Sequence, residues 1–195
     1  DLALKNNDKS FCEKMESDVY RESCLSEFAI MKNDLDLCKA LTEYDEAKIN
    51  CLKGLAKYRG DMSLCEELNS MEYITDWKIN NCRRNVAVKN KDTSICYSIQ
   101  SQSDSNNCIK SVALASFNKE LCNQITQDNL KNNCISDVDW NSNTLESCKK
   151  KELGSRDADV CWKNLAWKVG EIDFCQKVGN QEWKQDCIRQ QLVLI

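Results

Sequence analysis

Cys24-Leu-Ser-Glu-Phe-Ala-Ile-Met-Lys-Asn-Asp-Leu-Asp-Leu-Cys38 is the stretch whose reading decides the fold. The same 14-residue step separates Cys51 from Cys65, Cys82 from Cys96, Cys108 from Cys122, Cys134 from Cys148 and Cys161 from Cys175. Between these blocks, starting from Cys12–Cys24, the step varies: 12, 13, 17, 12, 12, 13 and 12 residues. A constant spacing alternating with a variable one describes a repeat with a rigid half and a loop-bearing half, at a period of about 26 residues.

Aligning the blocks exposes columns. Four residues before the cysteine that opens each unit stand Asp8, Asp34, Asp61, Asp92, Asn118, Thr144 and Glu171. All but Glu171 are residues whose short side chains accept from the free N–H groups of a starting helix. One position earlier stand Asn7, Asn33, Gly60, Lys91, Phe117, Asn143 and Gly170. Gly and Asn tolerate the left-handed backbone that ends a helix, and only Lys91 and Phe117 depart from that pattern. Each 14-residue block therefore reads as a helix end, a tight turn and a helix start. A second column of caps, Asp18, Asp45, Asp76, Gln102, Asp128, Ser155 and Gln181, lies six residues before each second cysteine and places the variable loop ahead of it.

Apolar residues follow the same frame. Four residues after the second cysteine stand Phe28, Leu55, Val86, Val112, Val138, Leu165 and Gln191; five after stand Ala29, Ala56, Ala87, Ala113, Asp139, Ala166 and Leu192. With the cysteine these form one face of a helix, and the alanines allow a neighbour to approach closely. The unit from Asp139 to Lys151 is the least regular. A further column six residues after the cysteine holds Ile30, Lys57, Val88, Leu114, Trp140, Trp167 and Val193, and points away from that face. It reads as a second packing surface between hairpins. Its functional reading is a partner-binding strip strongest at Trp140, Trp167 and Trp183, because exposed aromatic side chains anchor interfaces.

Register selects the cysteine pairs. Across the fixed turn the two sulfurs stand several residues, roughly 6–8 Å, out of register. Across the variable loop they face each other within the Cα separation of about 4.4–6.8 Å that a disulfide needs. The expected bridges are Cys12–Cys24, Cys38–Cys51, Cys65–Cys82, Cys96–Cys108, Cys122–Cys134, Cys148–Cys161 and Cys175–Cys187. Each closes a short loop, contributing about 2–3 kcal/mol through lost chain entropy.

The fold class expected is all-α: about seven disulfide-stapled helical hairpins stacked as an α-solenoid. Residues 1–195 carry no linker or compositional break and read as one domain, or as part of a longer array. The chain has no proline and only five glycines, which suits helices. Fourteen cysteines in regular order imply an oxidising compartment, hence an extracellular or cell-surface location. If the protein is exported, Asp1 follows a removed leader.

Several chemistries are excluded. There is no histidine, which removes His-based triads and His metal ligands. Lone cysteines 12 to 17 residues apart lack the close pairs of metal sites, so no metal and no cofactor are expected. The pairs Asp34/Asp36, Glu66/Glu67 and Asp157/Asp159 read as helix-start acids rather than catalytic carboxylates. A net charge of −4 without a basic stripe gives no footprint for nucleic acid, and no apolar run reaches the roughly 20 residues of a membrane span.

The string seen in Asn33-Asp34-Leu-Asp-Leu-Cys38-Lys-Ala-Leu41 and Cys108-Ile-Lys-Ser-Val-Ala113 resembles cysteine-bearing helical-hairpin repeats of predicted exported archaeal and candidate-phylum bacterial proteins. The resemblance covers the whole chain and implies location and fold. In architecture the chain is also similar to tetratricopeptide and Sel1-like repeats, without their signature Gly and Pro positions. The function expected is a structural or protein-binding repeat module, self-assembling or bound to a protein partner, and not an enzyme. The alternative is a secreted toxin or enzyme inhibitor on a rigid disulfide scaffold. Neither reading specifies a small-molecule ligand.

Iodoacetamide added to the unfolded but unreduced protein is expected to modify none of the fourteen cysteines. Prior reduction is expected to expose all of them and to loosen the fold.

Overall fold

Helices account for all the regular structure among the described residues, which in this computed structural model are 2–42, 45–71 and 74–193. The long helices are α3 (Asp18–Lys32), α5 (Asp45–Arg59), α7 (Asp76–Asn90), α8 (Gln102–Ser116), α9 (Asp128–Lys149), α10 (Arg156–Val169) and α11 (Gln181–Val193). Short helices carry the opening cysteines of the early units: α2 (Ser10–Glu13), α4 (Leu35–Ala40) and α6 (Met62–Asn69), after the leading α1 (Leu2–Asn6). In three later units the equivalent segment winds as a 3₁₀ turn, at Ile95–Ser98, Lys119–Gln124 and Ile172–Lys177. Length alone does not select that winding, because α2 and α4 have the same four and six residues and are α-helical.

Seven disulfides join Cys12 to Cys24, Cys38 to Cys51, Cys65 to Cys82, Cys96 to Cys108, Cys122 to Cys134, Cys148 to Cys161 and Cys175 to Cys187. Their Cα separations lie between 5.5 and 5.8 Å, so every bridge spans its hairpin at nearly the same point. Most of the sulfurs are fully buried, which makes each bridge core as well as staple.

Where a turn joins two hairpins, the 14-residue spacing has a direct cause. The carbonyl of the alanine five residues after the second cysteine accepts the N–H of the next cap residue: Ala29 from Asp34 at 2.8 Å, Ala56 from Asp61 at 3.0 Å, Ala87 from Asp92 at 2.9 Å and Ala113 from Asn118 at 3.0 Å. These close the Schellman turn, and the residue before the cap takes the left-handed conformation it requires. Asn7, Asn33, Gly60, Lys91, Phe117 and Gly170 all have positive φ. Lys91 and Phe117 do so without the residue type expected, because the two turn bonds outweigh a side-chain penalty of about 1–2 kcal/mol. The cap side chain then reaches forward, as when Asp34 accepts from Leu37 N, Asp61 from Ser63 N and Asn118 from Glu120 N. Glu171, too long for an ideal cap, still accepts from Asp173 N. Cysteine, alanine, cap and next cysteine are thus held in one register.

Two expectations from the sequence need correction. The turn expected at Asn143–Thr144 does not form, and α9 runs through it as a 22-residue helix. Asp139 replaces the alanine of the turn, and three side chains bond back along the helix: Asn141 to Asp137 O, Ser142 to Val138 O and Thr144 to Trp140 O. The second cap column is also displaced by one in most units. Ser17, Thr75, Ser101, Gln127 and Asn180 precede the helices, with Ser101 Oγ accepting from Asp104 N and Asn180 Oδ1 from Trp183 N; Ser155 caps α10 where expected. The acids Asp18, Asp76 and Asp128 instead occupy the first helical position, where the helix dipole favours them.

Consecutive long helices pack side by side through the cysteine, +4 and +5 positions. Contacts also run beyond neighbours, because α11 returns to pack on α5 and α3. Ile172 and Leu192 join the same buried cluster as Ile30, Leu52 and Leu55. From the surface, Arg189–Glu27 at 3.7 Å ties α11 to α3, and Lys89–Asp173 at 2.9 Å ties α7 to the segment before α11. In a strictly one-dimensional stack each unit touches only its neighbours. Here the last third closes on the first.

Successive joints are linked as well. Arg59, at the end of α5, donates to Asn33 O at 2.7 Å, and Asn90, at the end of α7, donates to Gly60 O at 2.9 Å. Gly60 has φ +68°, and a Cβ there would strike the Asn90 side chain. Gly60→Ala is expected to cost about 1–2 kcal/mol from backbone strain, with the displaced Asn90 adding to it, as read from the urea midpoint.

Candidate functional site

The closure creates a cleft. Helices α5, α7, α8, α10 and α11 border a cavity of about 310 Å³, and several of the residues that reach it, such as Asn85, Ser111, Val88 and Leu114, stand three or six after a second cysteine. Its cations are Lys57, Arg84 and Lys168; Asn85, Ser111 and Gln190 supply neutral polar groups; Val88, Leu114, Trp167 and Val169 supply apolar wall. Among the described residues no Asp or Glu is part of that lining.

Lys57 is the most unusual of these residues. Its side chain is only 4% exposed, and its ammonium donates to Gln191 O at 2.6 Å and to Gln191 Oε1 at 3.3 Å. Burial pulls its pKa from the ordinary 10.5 to about 7; the field of Glu171 works against that fall and Arg84 adds to it. Glu171, buried beside the Gly170 turn, is itself pushed up by burial, and its Oε2 has no hydrogen-bond partner among the described residues. Lys91 Nζ is 3.8 Å from that oxygen. The closure thus holds two charges of opposite sign, each poorly solvated.

Arg84 is half-buried, and its guanidinium makes no hydrogen bond or ion pair among the described residues. Burial lowers its pKa, while Asp104, which shares a smaller cavity with Arg84, counteracts this. Lys168 is exposed at the rim.

A second cavity of about 600 Å³ lies between the N-terminal helices and α11, lined by Leu4, Met31, Lys32, Lys163, Trp183 and Arg189 among others. Two of its cations, Lys163 and Arg189, are neutralised on site. Lys163 pairs with Asp186 at 3.1 Å, and Arg189 pairs with Asp186 at 3.2 Å.

The three tryptophans singled out from sequence stand in different surroundings. Trp140 is 67% exposed on α9, and Trp167 is 72% exposed at the edge of the cationic cleft. Trp183 is half-buried, with the Lys163 ammonium 5.6 Å and the Arg156 guanidinium 6.0 Å from its ring centroid. The +6 column therefore divides: Ile30, Lys57 and Val88 are buried, Leu114 is half-buried, and the two tryptophans face solvent. The side chain of Val193 lies outside the described residues. Sequence reasoning missed the cleft, although one signal for it was present: Lys57 is the lone charge in an otherwise apolar column.

All fourteen sulfurs are in disulfides, so no cysteine is available as a nucleophile or thiolate ligand. Among the described residues no helix is long and apolar enough to cross a membrane. The chain matches no family model, no curated protein and no solved structure. Its function is therefore read from its own geometry.

The depressed pKa of Lys57 has a thermodynamic consequence. Between about pH 7 and 10.5 the unfolded chain keeps a lysine proton that the folded chain has released, so stability contributed by this group rises with pH across that window. The melting temperature of the wild type, measured relative to Lys57→Met, is expected to climb from about pH 7 to pH 9.5. A constant difference would show that Lys57 keeps its ordinary pKa in the fold.

Proposed function

We propose that the protein is an exported structural or protein-binding module, acting at the cell surface or outside the cell, and not an enzyme. In this reading its hairpins form an α-solenoid whose ends curl together, and its work is to present a rigid surface. The observation that carries the proposal is the stapling of every hairpin by its own disulfide with no cysteine left free. Such redundancy is costly to make in a reducing cytosol and is typical of small exported scaffolds.

The surface supports binding more than catalysis. Large aromatic side chains stand in solvent with little role in packing: Trp140, Trp167, Trp77, Tyr20 and Tyr97 are each more than 60% exposed. Rigid aromatics of this kind lose little conformational entropy on docking and dominate the energy of many interfaces. A protein partner or a second copy of the chain is the occupant this surface suits.

Trp140→Ala and Trp167→Ala are expected to change stability by no more than about 0.5 kcal/mol, since neither ring is packed. Combined, they are expected to abolish capture of the partner from cell-surface extracts of the source, and to abolish self-association if the partner is a second copy. Loss of stability in place of loss of capture would make the two rings core residues and remove them from the interface.

A further inference from the structure

We propose that the cleft bordered by α5, α7, α8, α10 and α11 is a binding site for a small organic carboxylate with a flat apolar body. This goes beyond the surface reading above and does not depend on it.

Charge is the first ground. Lys57, Arg84 and Lys168 line one cavity of about 310 Å³, and among the described residues no acid lines it with them. The larger cavity beside Trp183 differs in carrying its own acids, Glu182 and Asp186, the latter paired with Lys163 and Arg189. Arg84 and Lys168, with Lys57 adding charge below about pH 7, face one open, partly apolar cleft, where positive groups attract an anion more strongly than on a flat surface. The volume is at the lower end of the range for small-molecule sites.

The state of each cation narrows the ligand. Lys57 already donates twice to Gln191 and is only partly charged at neutral pH, so it leaves the main contact to the other two cations. Arg84 is the group with donors to spare, half-buried and, among the described residues, without a hydrogen bond or ion pair, although Asp104 lies near enough to act on it. A guanidinium presents a planar fork that matches the two oxygens of a carboxylate. One free fork and one exposed lysine at the rim suit a single negative charge better than a phosphate dianion. The remaining wall suits the rest of such a molecule. Val88, Leu114 and Val169 are apolar, and the Trp167 ring at the mouth offers a face for stacking. Asn85, Ser111 and Gln190 provide neutral groups at the positions between.

The test uses the full oxidised chain and 2-naphthoate as probe, followed by titration calorimetry, with neutral 2-naphthamide as the matched control. Saturable one-to-one binding of naphthoate, at least about tenfold tighter than the amide, is expected from one charge-assisted contact. Arg84→Gln and Lys168→Gln are each expected to weaken it, Arg84→Gln by about tenfold and Lys168→Gln by less because of solvent screening. Lys168 is exposed, so its variant separates loss of binding from loss of folding; Lys150→Gln, outside the cleft, is expected to bind as the parent does. Equal affinity for acid and amide, no saturable binding of naphthoate, or unchanged affinity in both cleft variants would each overturn the proposal.

Discussion

A covalent bond across each variable loop is the constraint on which the rest of this structure depends. In six of the seven units the segment that carries the opening cysteine is only four to eight residues long, too short to hold itself. Isolated helices of that length are unstable in water, and one Leu, Ile or Val per turn does not supply enough buried surface to fix them. The disulfide replaces that surface. It also explains why the loop it closes can vary: adding residues to a closed loop changes its entropy slowly, so the long loop before α7 is tolerated without shifting the Cα separation of its bridge, which stays at 5.7 Å.

Between the staples lies a joint of constant length. The bonds from cap N–H to alanine carbonyl fix where each long helix ends, and the cap side chain fixes where the next segment starts. Because both are backbone-scale contacts, inserting a single residue would break them, and the spacing is held at 14 wherever the turn exists. Arg59 and Asn90 extend the joint by binding the turn of the preceding unit, so one hairpin's end sets the position of the next. Repeating that offset brings α11 back to α5, and the cationic cleft is a product of this curvature. No single element builds it.

The staples, the joints and the inward face were legible because all three are local. A cysteine six residues beyond a helix start, an Asp four before the next cysteine and an Ala five after the last are patterns that a string of residues displays directly. Lys91 and Phe117 hid the left-handed turn from residue-type reasoning, since their conformation is dictated by hydrogen bonds around them and not by their own preference. The continuous α9 was hinted at by Asp139 in the alanine column, yet Asn143 and Thr144 look like any other turn until the side chains that bond back along the helix are seen. The cleft was out of reach for a different reason. Lys57 and Gln191 are 134 residues apart, and periodicity says nothing about which distant faces meet.

That hairpins are stapled one by one across their variable loops, with the fixed joints free of covalent bonds, is tested most directly by peptide mapping of the unreduced protein. Cleavage on both sides of each cysteine and mass measurement of the linked fragments should give seven pairs, each joining the two cysteines of one hairpin, with Cys24 held to Cys12 and Cys38 to Cys51. A fragment joining Cys24 to Cys38, or any other pair across a 14-residue joint, would contradict it.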